Sequence, residues 1–464
     1  MNEIVIKKKN PKVWCQLAQI AEENGMALYA VGGTLRDWLM GKESKDDDFL
    51  ALGDAVLMAN KASAALNGSK VVEFPRFNTA FFMLDDVKME FTGLRINIEN
   101  SSESEAVTED LRRRDFTINA VSARLNAGGE ITLFDPIGGI DDIKKGLLRT
   151  PMEAETIFKD DPVRILRAFR FAAQFKLKIH PFIPPAMKAA VEGLKNTAWE
   201  RIGEEFLKIL ALPKPSLALK PMFDIGVYDQ ILPELSCLSG VERHGRHHHK
   251  DVFLHTLKVV DNAAVSGGDG VTRFAALFHG IAQPFTKKFD QGTGYTFHGH
   301  EDLGSRMVYQ IAMRLRLPRE TAKLAQKLTL MHMRPVNLAG TEVTDSAIRR
   351  LMTQAGDDLD RLLILCRADI TSGDQRKVKQ YLKNFDFMVQ RTGEVSDKDE
   401  MLAFQSPLRG GEIMELCGIE PGPLVGKIKK AIEEAILSGE IPNEYDAAKE
   451  YFFLHKEEWL KVKV

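Results

Sequence analysis

Residues Tyr29–Leu52 read YAVGGTLRDWLMGKESKDDDFLAL: a short apolar run, a pair of glycines, a segment with helical spacing, and an acidic cluster that opens a second apolar run. That order predicts strand, glycine turn, helix, strand. Gly32 and Gly33 can adopt positive φ and admit a phosphate close to the backbone, where the N–H groups of a following helix N-terminus favour an anion. Asp46 and Asp48 stand two apart at the start of the second strand, so the strand period of two sets both carboxylates on one face. Converging carboxylates repel unless a cation lies between them, and oxygen ligands suit Mg²⁺ bound jointly with substrate phosphates. The pattern predicts a phosphoryl-transfer site of the two-metal kind. By itself, the acidic cluster fits a solvated turn more readily.

The neighbouring segments extend the same unit. Pro11–Asn24 and Ala55–Leu66 carry apolar residues at helical spacing, and VVEFPRFNTAFFML and VKMEFTGL read as strands joined at Asp85 and Asp86. Glu90 alternates with apolar neighbours in the second strand, which puts it on the face of Asp46 and Asp48 or on an open face of an antiparallel sheet. RINIENSSESEAVTEDL, from Arg95, is polar and predicts a loop. RRRDFTINAVSARL follows as a basic entry into a helix or strand. Arg113 and Arg114 suit triphosphate or primer phosphate as bidentate donors, while Asp115 and Asn119 offer groups for ribose hydroxyls. A charge run of this kind is otherwise a solvated face.

GGTLRDWLMGKESKDDD resembles the signature of the polymerase-beta-like nucleotidyltransferases, and more closely that of class II tRNA nucleotidyltransferases and bacterial poly(A) polymerases. RRDFTINA matches that family's second signature, and LFDPIGGIDDIKKGLLRTP its third, in which Asp135, Gly138 and Gly139 read as structural. The resemblance implies that Asp46 and Asp48 hold Mg²⁺. It further implies that Glu90 is an acidic residue near the metals, and that Gly32, Gly33, Arg36 and the RRDFTINA residues seat the nucleotide.

TIFKDDPVRILRAFRFAAQFKL, Thr156–Leu177, predicts one amphipathic helix with Pro162 near its first turn. Asp161 and Arg164 then share a face about one turn apart. Cytosine and adenine both present an exocyclic amino donor beside a ring-nitrogen acceptor, so a carboxylate and a guanidinium suit both. Guanine and uracil present an oxo group and a ring N–H there, and would leave polar groups unpaired. DDPVRILRAFRFA also resembles the family element for protein-templated recognition of CTP and ATP, which implies that Asp161 and Arg164 read the base. Arg167 and Arg170 are candidates for further phosphate contacts. WERIGEEFLKIL predicts another amphipathic helix before the link LPKPS.

From about Lys214 the pattern is almost wholly helical. HGRHHHKDVFLHTLKVV and RFAALFHGIAQP resemble an HD domain, whose metal site uses a His, a His-Asp doublet and a later Asp. His255 and His279 fit the first two places, Gly280 stands where the doublet needs an acid, and Asp369 in CRADI is a candidate last ligand. The missing carboxylate argues for a helical scaffold rather than an active hydrolase. His244, His247, His248 and His249 read as surface imidazoles, and no metal is assigned to them or to His298 and His300. Farther on, Ala368–Val395 predicts a helix, and Lys427, Lys429 and Lys430 suit an RNA backbone or a solvated helix face.

The 464 residues suffice for about three domains. Lys+Arg of 63 against Asp+Glu of 65 gives a formal charge of -2, so nucleic-acid contacts must rely on local patches. No apolar run approaches a membrane span and no leader pattern opens the chain, which predicts a cytoplasmic protein without membrane contact. Cys15, Cys237, Cys366 and Cys417 lack disulfide or zinc spacing.

The expected fold is α+β: a polymerase-beta-like head of mixed sheet and helices (1–150), a helical neck that recognises the base (151–213), a body resembling a degenerate HD domain (214–370), and a helical tail that binds tRNA (371–464). The expected activity is addition of C and A residues to the tRNA 3′ end from CTP and ATP, with Mg²⁺, on the acceptor end and elbow of tRNA. The resemblance implies that a segment as short as 95–110 belongs to an enzyme that stops after CC, so a CC-adding enzyme is the chief variant, followed by an A-adding enzyme and a poly(A) polymerase. A silent RNA-binding protein is the non-enzyme alternative.

Overall fold

The computed structural model describes residues 11–42, 44, 46–94, 102–240, 242–243, 250–291, 294–339, 344–371, 374–399 and 406–461. His244 and His247–His249 lie outside the described residues, as does the start of the 95–110 segment.

The chain forms two compact units, one running to Leu212 and resuming from Leu217 to Ile231, the other comprising Pro213–Ser216 and the rest. The first unit opens with α1 (Pro11–Glu23), β1 (Ala27–Val31), α2 (Gly33–Leu39), β2 (Asp46–Leu52) and α3 (Ala55–Leu66). It continues with β3 (Val72–Phe74), β4 (Thr79–Leu84), β5 (Val87–Gly93), α4 (Glu103–Arg112), β6 (Ser122–Leu125), β7 (Ile131–Phe134) and α5 (Gly139–Lys145). The seven strands make one sheet in the order β3-β4-β5-β2-β1-β6-β7. Only the β2–β5 pair is parallel; the other pairs are antiparallel.

Strand alternation decides what each face does. Leu28, Ala30, Phe49, Ala51, Ala80, Phe82, Met89 and Phe91 point to one face and pack with Trp14, Leu17, Met58 and Ala62 of α1 and α3 into the main core. On the other face, Val107 and Leu111 of α4 bury Tyr29, Val31, Leu50 and Ala120. The parallel register of β2 and β5 sets Asp48 opposite Glu90 and Asp46 opposite Lys88, all on this second face. Asp47 lies between the two aspartates on the core side, buried, and accepts a hydrogen bond from Trp14 Nε1 at 2.9 Å.

Three local expectations are corrected here. The 95–110 segment is not a loop throughout: its second half is α4, started by Ser102, whose hydroxyl takes the Glu105 N–H while the Glu105 carboxylate takes the Ser102 N–H. The expected Val71–Leu84 strand is two strands, because Pro75 and the left-handed Asn78 turn the chain between them. Thr156–Leu177 is likewise not one helix. It divides into α6 (Ala154–Asp160) and α7 (Val163–Phe175), with Asp161 extended at φ -147° because the proline that follows disfavours helical geometry at the residue before it. Two further helices, α8 (Ile183–Ala190) and α9 (Trp199–Leu210), complete this part of the unit.

Among the described residues, the second unit is helical apart from two short antiparallel strand pairs, Glu242–Arg243 with Lys250–Asp251 and Lys288–Asp290 with Gly294–Thr296. Its buried centre is formed by helices Val252–Val265, Gly270–Phe278, His300–Arg314, Arg319–Met331 and Leu359–Asp369. The expected Ala368–Val395 helix is interrupted: Leu359–Asp369 ends and Gln375–Asp399 begins after a break. The last helices, Gly410–Cys417, Pro423–Leu437 and Tyr445–Lys461, share a separate small core around Ile428, Ile432 and Phe452. Lys427, Lys429 and Lys430 lie within the second of them.

Candidate active site

A cavity of about 540 Å³ in the first unit gathers most of the predicted residues. Asp48 and Glu90 reach it from β2 and β5, Gly32, Gly33 and Arg36 from the turn after β1 and from α2, and Arg113, Arg114, Asp115 and Asn119 from the segment after α4. Asp161, Arg164 and Arg167 reach it from the α6–α7 break and α7. Asp46 is exposed two residues before Asp48 and does not line the cavity.

Gly32 sits at φ +70° just before α2, a conformation that favours glycine. A Cβ there would stand 3.1 Å from Asp48 Oδ2 and 3.2 Å from an Arg114 nitrogen, so glycine also makes room for the carboxylate. Thr34 ties this turn to β2, since its hydroxyl donates to the Asp46 carbonyl at 2.9 Å and accepts the Asp48 N–H at 3.0 Å. The glycine turn and the acidic row are therefore one rigid piece.

Burial, followed by the charge of Glu90, pushes the Asp48 carboxyl up to about 6; Arg114 opposes this and Asp46 adds to it. Glu90 is ion-paired with Lys88. A row of carboxylates that raises its own proton affinity is a site where a hard divalent cation relieves repulsion, and the oxygen donors fit Mg²⁺.

The opposite wall is a connected chain of hydrogen bonds that ends in an ion pair. Arg36 donates to Asn119 at 2.7 Å, Asn119 to Asp115 at 2.9 Å, and Arg167 to Asp115 through two bonds of 2.8 and 2.6 Å. Burial pushes the Asp115 carboxyl up, but the Arg167 charge and the bonds from Asn119, Arg167 and the Phe116 N–H outweigh it and hold the group below the usual carboxylate range. Asp115 thus stays ionised and orients Arg167 and Asn119. The guanidinium carbons of Arg36, Arg167 and Arg170 lie 5.1, 5.1 and 4.1 Å from the centre of the Phe171 ring, which gathers three cations around one aromatic side chain.

The expected phosphate contact of Arg170 is not what the structure places. Arg170 is buried, pairs with Glu205 of α9 and bonds Gln174 at 3.0 Å, and it does not line the cavity. Its position on the inner side of α7 makes it a tie between α7 and α9.

Asp161 and Arg164 do come together, 3.8 Å apart, although Asp161 precedes the helix instead of sharing its face. Arg201 of α9 holds Asp161 at 2.7 Å, and Arg164 donates to the Arg113 carbonyl at 2.8 Å. A fixed carboxylate thus faces the cavity beside a fixed guanidinium. Sequence reasoning missed Arg201, Glu204, Glu205 and Lys208, which line the cavity from α9. Their spacing in WERIGEEFLKIL was the available signal, since it places them along one side of that amphipathic helix. Asp110 was also missed; it holds Arg114 through two bonds of 3.1 and 2.9 Å from the last turn of α4.

In the second unit, His255, His279 and Asp369 converge. Asp369 Oδ1 lies 3.0 Å from His255 Nε2 and 3.3 Å from His279 Nε2, and the two Nε2 atoms are 3.3 Å apart. His279 Nδ1 meets the Ala276 carbonyl at 2.7 Å, so a neutral ring turns its Nε2 lone pair toward the carboxylate. An extra proton or a cation resolves that arrangement, and the three ligand atoms lie within 4.8 Å of one another, close enough to share a metal ion. At Gly280 a Cβ would meet the buried Gln283 side chain at 3.2 Å, so a neutral amide occupies the surroundings of the missing acid. His332 and His300 continue the cluster, with ring centres 5.4 Å apart along the series His279, His332, His300.

The family model described as "Poly A polymerase head domain" matches residues 28–149. That described as "Probable RNA and SrmB- binding site of polymerase A" matches 176–238, and that of the HD domain 252–374. An A-adding tRNA nucleotidyltransferase of Deinococcus radiodurans is 32% identical over 91% of this chain and 94% of its own. A CC-adding tRNA nucleotidyltransferase of Thermus thermophilus is 29% identical over 90% and 92%. Among solved structures, a Thermotoga maritima CCA-adding enzyme complexed with tRNA superimposes with a TM-score of 0.60 at 22% identity, covering 97% of this chain and 96% of that one. No helix among the described residues is long and apolar enough to cross a membrane.

Proposed function

The chain belongs to the tRNA nucleotidyltransferases, a family of divalent-metal enzymes, and on that premise we propose that it extends the 3′ end of tRNA with C and A residues from CTP and ATP, using Mg²⁺. The observation that carries this reading is one cavity in which Asp48, Glu90 and the Asp161–Arg164 pair face the same space. Its volume, about 540 Å³, is that of a small-molecule site.

Asp46 and Asp48, with Glu90 beside them, would hold the Mg²⁺, which supplies charge neutralisation for the triphosphate and acidifies the attacking hydroxyl. The triphosphate lies against Gly32 and Gly33, where no side chain intervenes, with Arg113 and Arg114 directed at its oxygens. Asp115, Asn119, Arg36 and Arg167 form the floor under the ribose. Asp161 accepts the exocyclic amine of cytosine or adenine, and Arg164 donates to the adjacent ring nitrogen. In the reaction the RNA 3′-oxygen forms a bond to the α-phosphorus, the bond to the pyrophosphate oxygen breaks, and the hydroxyl proton leaves to a neighbouring carboxylate or water. The four free cysteines fit a cytoplasmic setting.

The test is incorporation of labelled CTP and ATP into tRNAs ending at the discriminator base, after one C, and after two. Addition of C, C and A marks a complete CCA-adding enzyme. A restricted product is the second reading, favoured by the short connection from Leu94 to Ser102 between β5 and α4 and by relatives that add only A or only CC. Arrest after the second C selects the CC-adding form, and use of ATP alone the A-adding form. Arg164→Ala should reduce discrimination against GTP and UTP by about a hundredfold; unchanged discrimination in a folded variant overturns the base-reading role.

A further inference from the structure

α4 covers the carboxylate-bearing face of the sheet around β1 and β2. Toward the edge strand β3 the same face, among the described residues, is exposed at Val72 43%, Phe74 45% and Met83 38%. The register sets two rows across it. One runs Asp48, Glu90, Phe81, Val72, and the next Leu50, Thr92, Thr79, Phe74. Strands are spaced about 4.8 Å apart, so Phe81 and Phe74 lie one and two strands out from Glu90, about 5 and 10 Å across the sheet. Their rings are nearly parallel, 24° apart with centres separated by 6.4 Å. Lys88 Nζ stands 4.5 Å from the centre of the Phe81 ring while pairing with Glu90.

We infer that this open face seats the RNA 3′ end, with the terminal base stacked on Phe74 and Phe81 and Lys88 meeting the adjoining phosphate. The inference rests on the nucleotide-addition reading. In that reaction the attacking hydroxyl and the leaving pyrophosphate stand on opposite sides of the α-phosphorus. The pyrophosphate belongs at the Gly32–Gly33 turn and the incoming base at Asp161 and Arg164, which leaves the β5 side for the hydroxyl. Exposed aromatic rings beside a cation are the recurring platform for single-stranded ends. Stacking also tolerates any base, because each has a π-face. A primer whose last base changes after every addition needs that tolerance, and a hydrogen-bonding pocket would deny it.

The test compares the full-length protein with Phe74→Ala and Phe74→Tyr on a tRNA primer, measuring KM and kcat for the RNA and KM for CTP. A parallel primer carries an abasic terminal nucleotide. Phe74→Ala should raise KM for the RNA about tenfold, leave KM for CTP unchanged, and be rescued by Phe74→Tyr. The abasic primer should weaken the parent protein by a similar factor and the alanine variant no further. An unchanged RNA KM, an equal rise in the CTP KM, or an abasic penalty that is the same in both proteins overturns the inference. So does a change in oligomeric state by sedimentation with no change in RNA KM, which would assign the face to a second copy of the chain. Failure of the parent protein to add any nucleotide to any tRNA would instead refute the proposed activity itself.

Discussion

Asp48 and Asp369 are both carboxylates drawn into clusters of ligand-type side chains, one in each unit, and the clusters push them in opposite directions. Burial raises the proton affinity of both. At Asp48 the charge of Glu90 adds to burial and the carboxyl rises to about 6. At Asp369 the imidazoles of His279 and His255 overcome burial and hold it well below the usual range. The difference lies in the company each acid keeps. The first cluster sets a second acid beside Asp48 and opens on a cavity; the second sets two buried imidazoles, His255 and His279, against its one acid. A set of ligand-type residues is therefore not a measure of catalytic competence. Unrelieved charge facing accessible space is the better sign.

The largest effect that would sharpen this contrast is on nucleotide addition. Asp48→Ala should lower incorporation of CTP into tRNA by at least about a thousandfold, while His255→Ala leaves it within about twofold. An equal loss in a folded His255→Ala protein, judged by circular dichroism, would break the comparison.

Next in size is an acid response confined to the helical unit. Burial, then the charge of His279, lowers His332 to about 3, against an ordinary value near 6.5. The unfolded chain takes up this proton first, so the stability due to neutral His332 is full above about 6.5 and is lost as pH falls toward 3. At pH 4.5 the loss should be about 2–3 kcal/mol. Hydrogen exchange in Gly270–Phe278 and Arg319–Met331, corrected for intrinsic rates, should show it, and His332→Gln should flatten the slope.

The smallest effect has the reverse sign. With its pKa raised, Asp48 contributes stability that is full below about 3.9 and is lost as pH rises through about 6. In the presence of a chelator at pH 7.5, Asp48→Asn should therefore stabilise the sheet-bearing unit by about 1–2 kcal/mol. Urea unfolding should show the gain disappearing toward pH 4; a loss of stability at pH 7.5 would mean that the acidic row carries no repulsion.

Much of the sheet-bearing unit was readable because two periodicities changed cleanly at recognisable residues. Ala55–Leu66 is the predicted helix, and the alternation in β2 placed Asp46 and Asp48 on one face before the register was known, while the side taken by Glu90 was decided by the parallel pairing of β2 with β5. Where reading failed, a local signal had been outweighed. Ser102 and Glu105 form an S-x-x-E cap, yet the polar composition around them suggested a loop. Pro162 was accepted as a first-turn proline although its effect falls on Asp161, the residue before it. Other features depended on partners remote in sequence. Nothing near Arg170 indicates that Glu205 takes its guanidinium, whereas the meeting of Asp369 with His255 and His279 was legible through the resemblance to an HD domain and not through any local pattern.

Asp47 has a consequence for observing the protein at work. Its neighbours Asp46 and Asp48 face forward, while Asp47 faces the core and accepts from the indole of Trp14, which is 2% exposed, its ring centre 4.9 Å from that of Trp38 and the two planes tilted by 38°. A charge arriving at the front of β2 changes the electric field at a chromophore bonded to its back. The strand is thus an optical gauge: the emission colour of the buried Trp14 indole reports what sits on the carboxylates, without any added label.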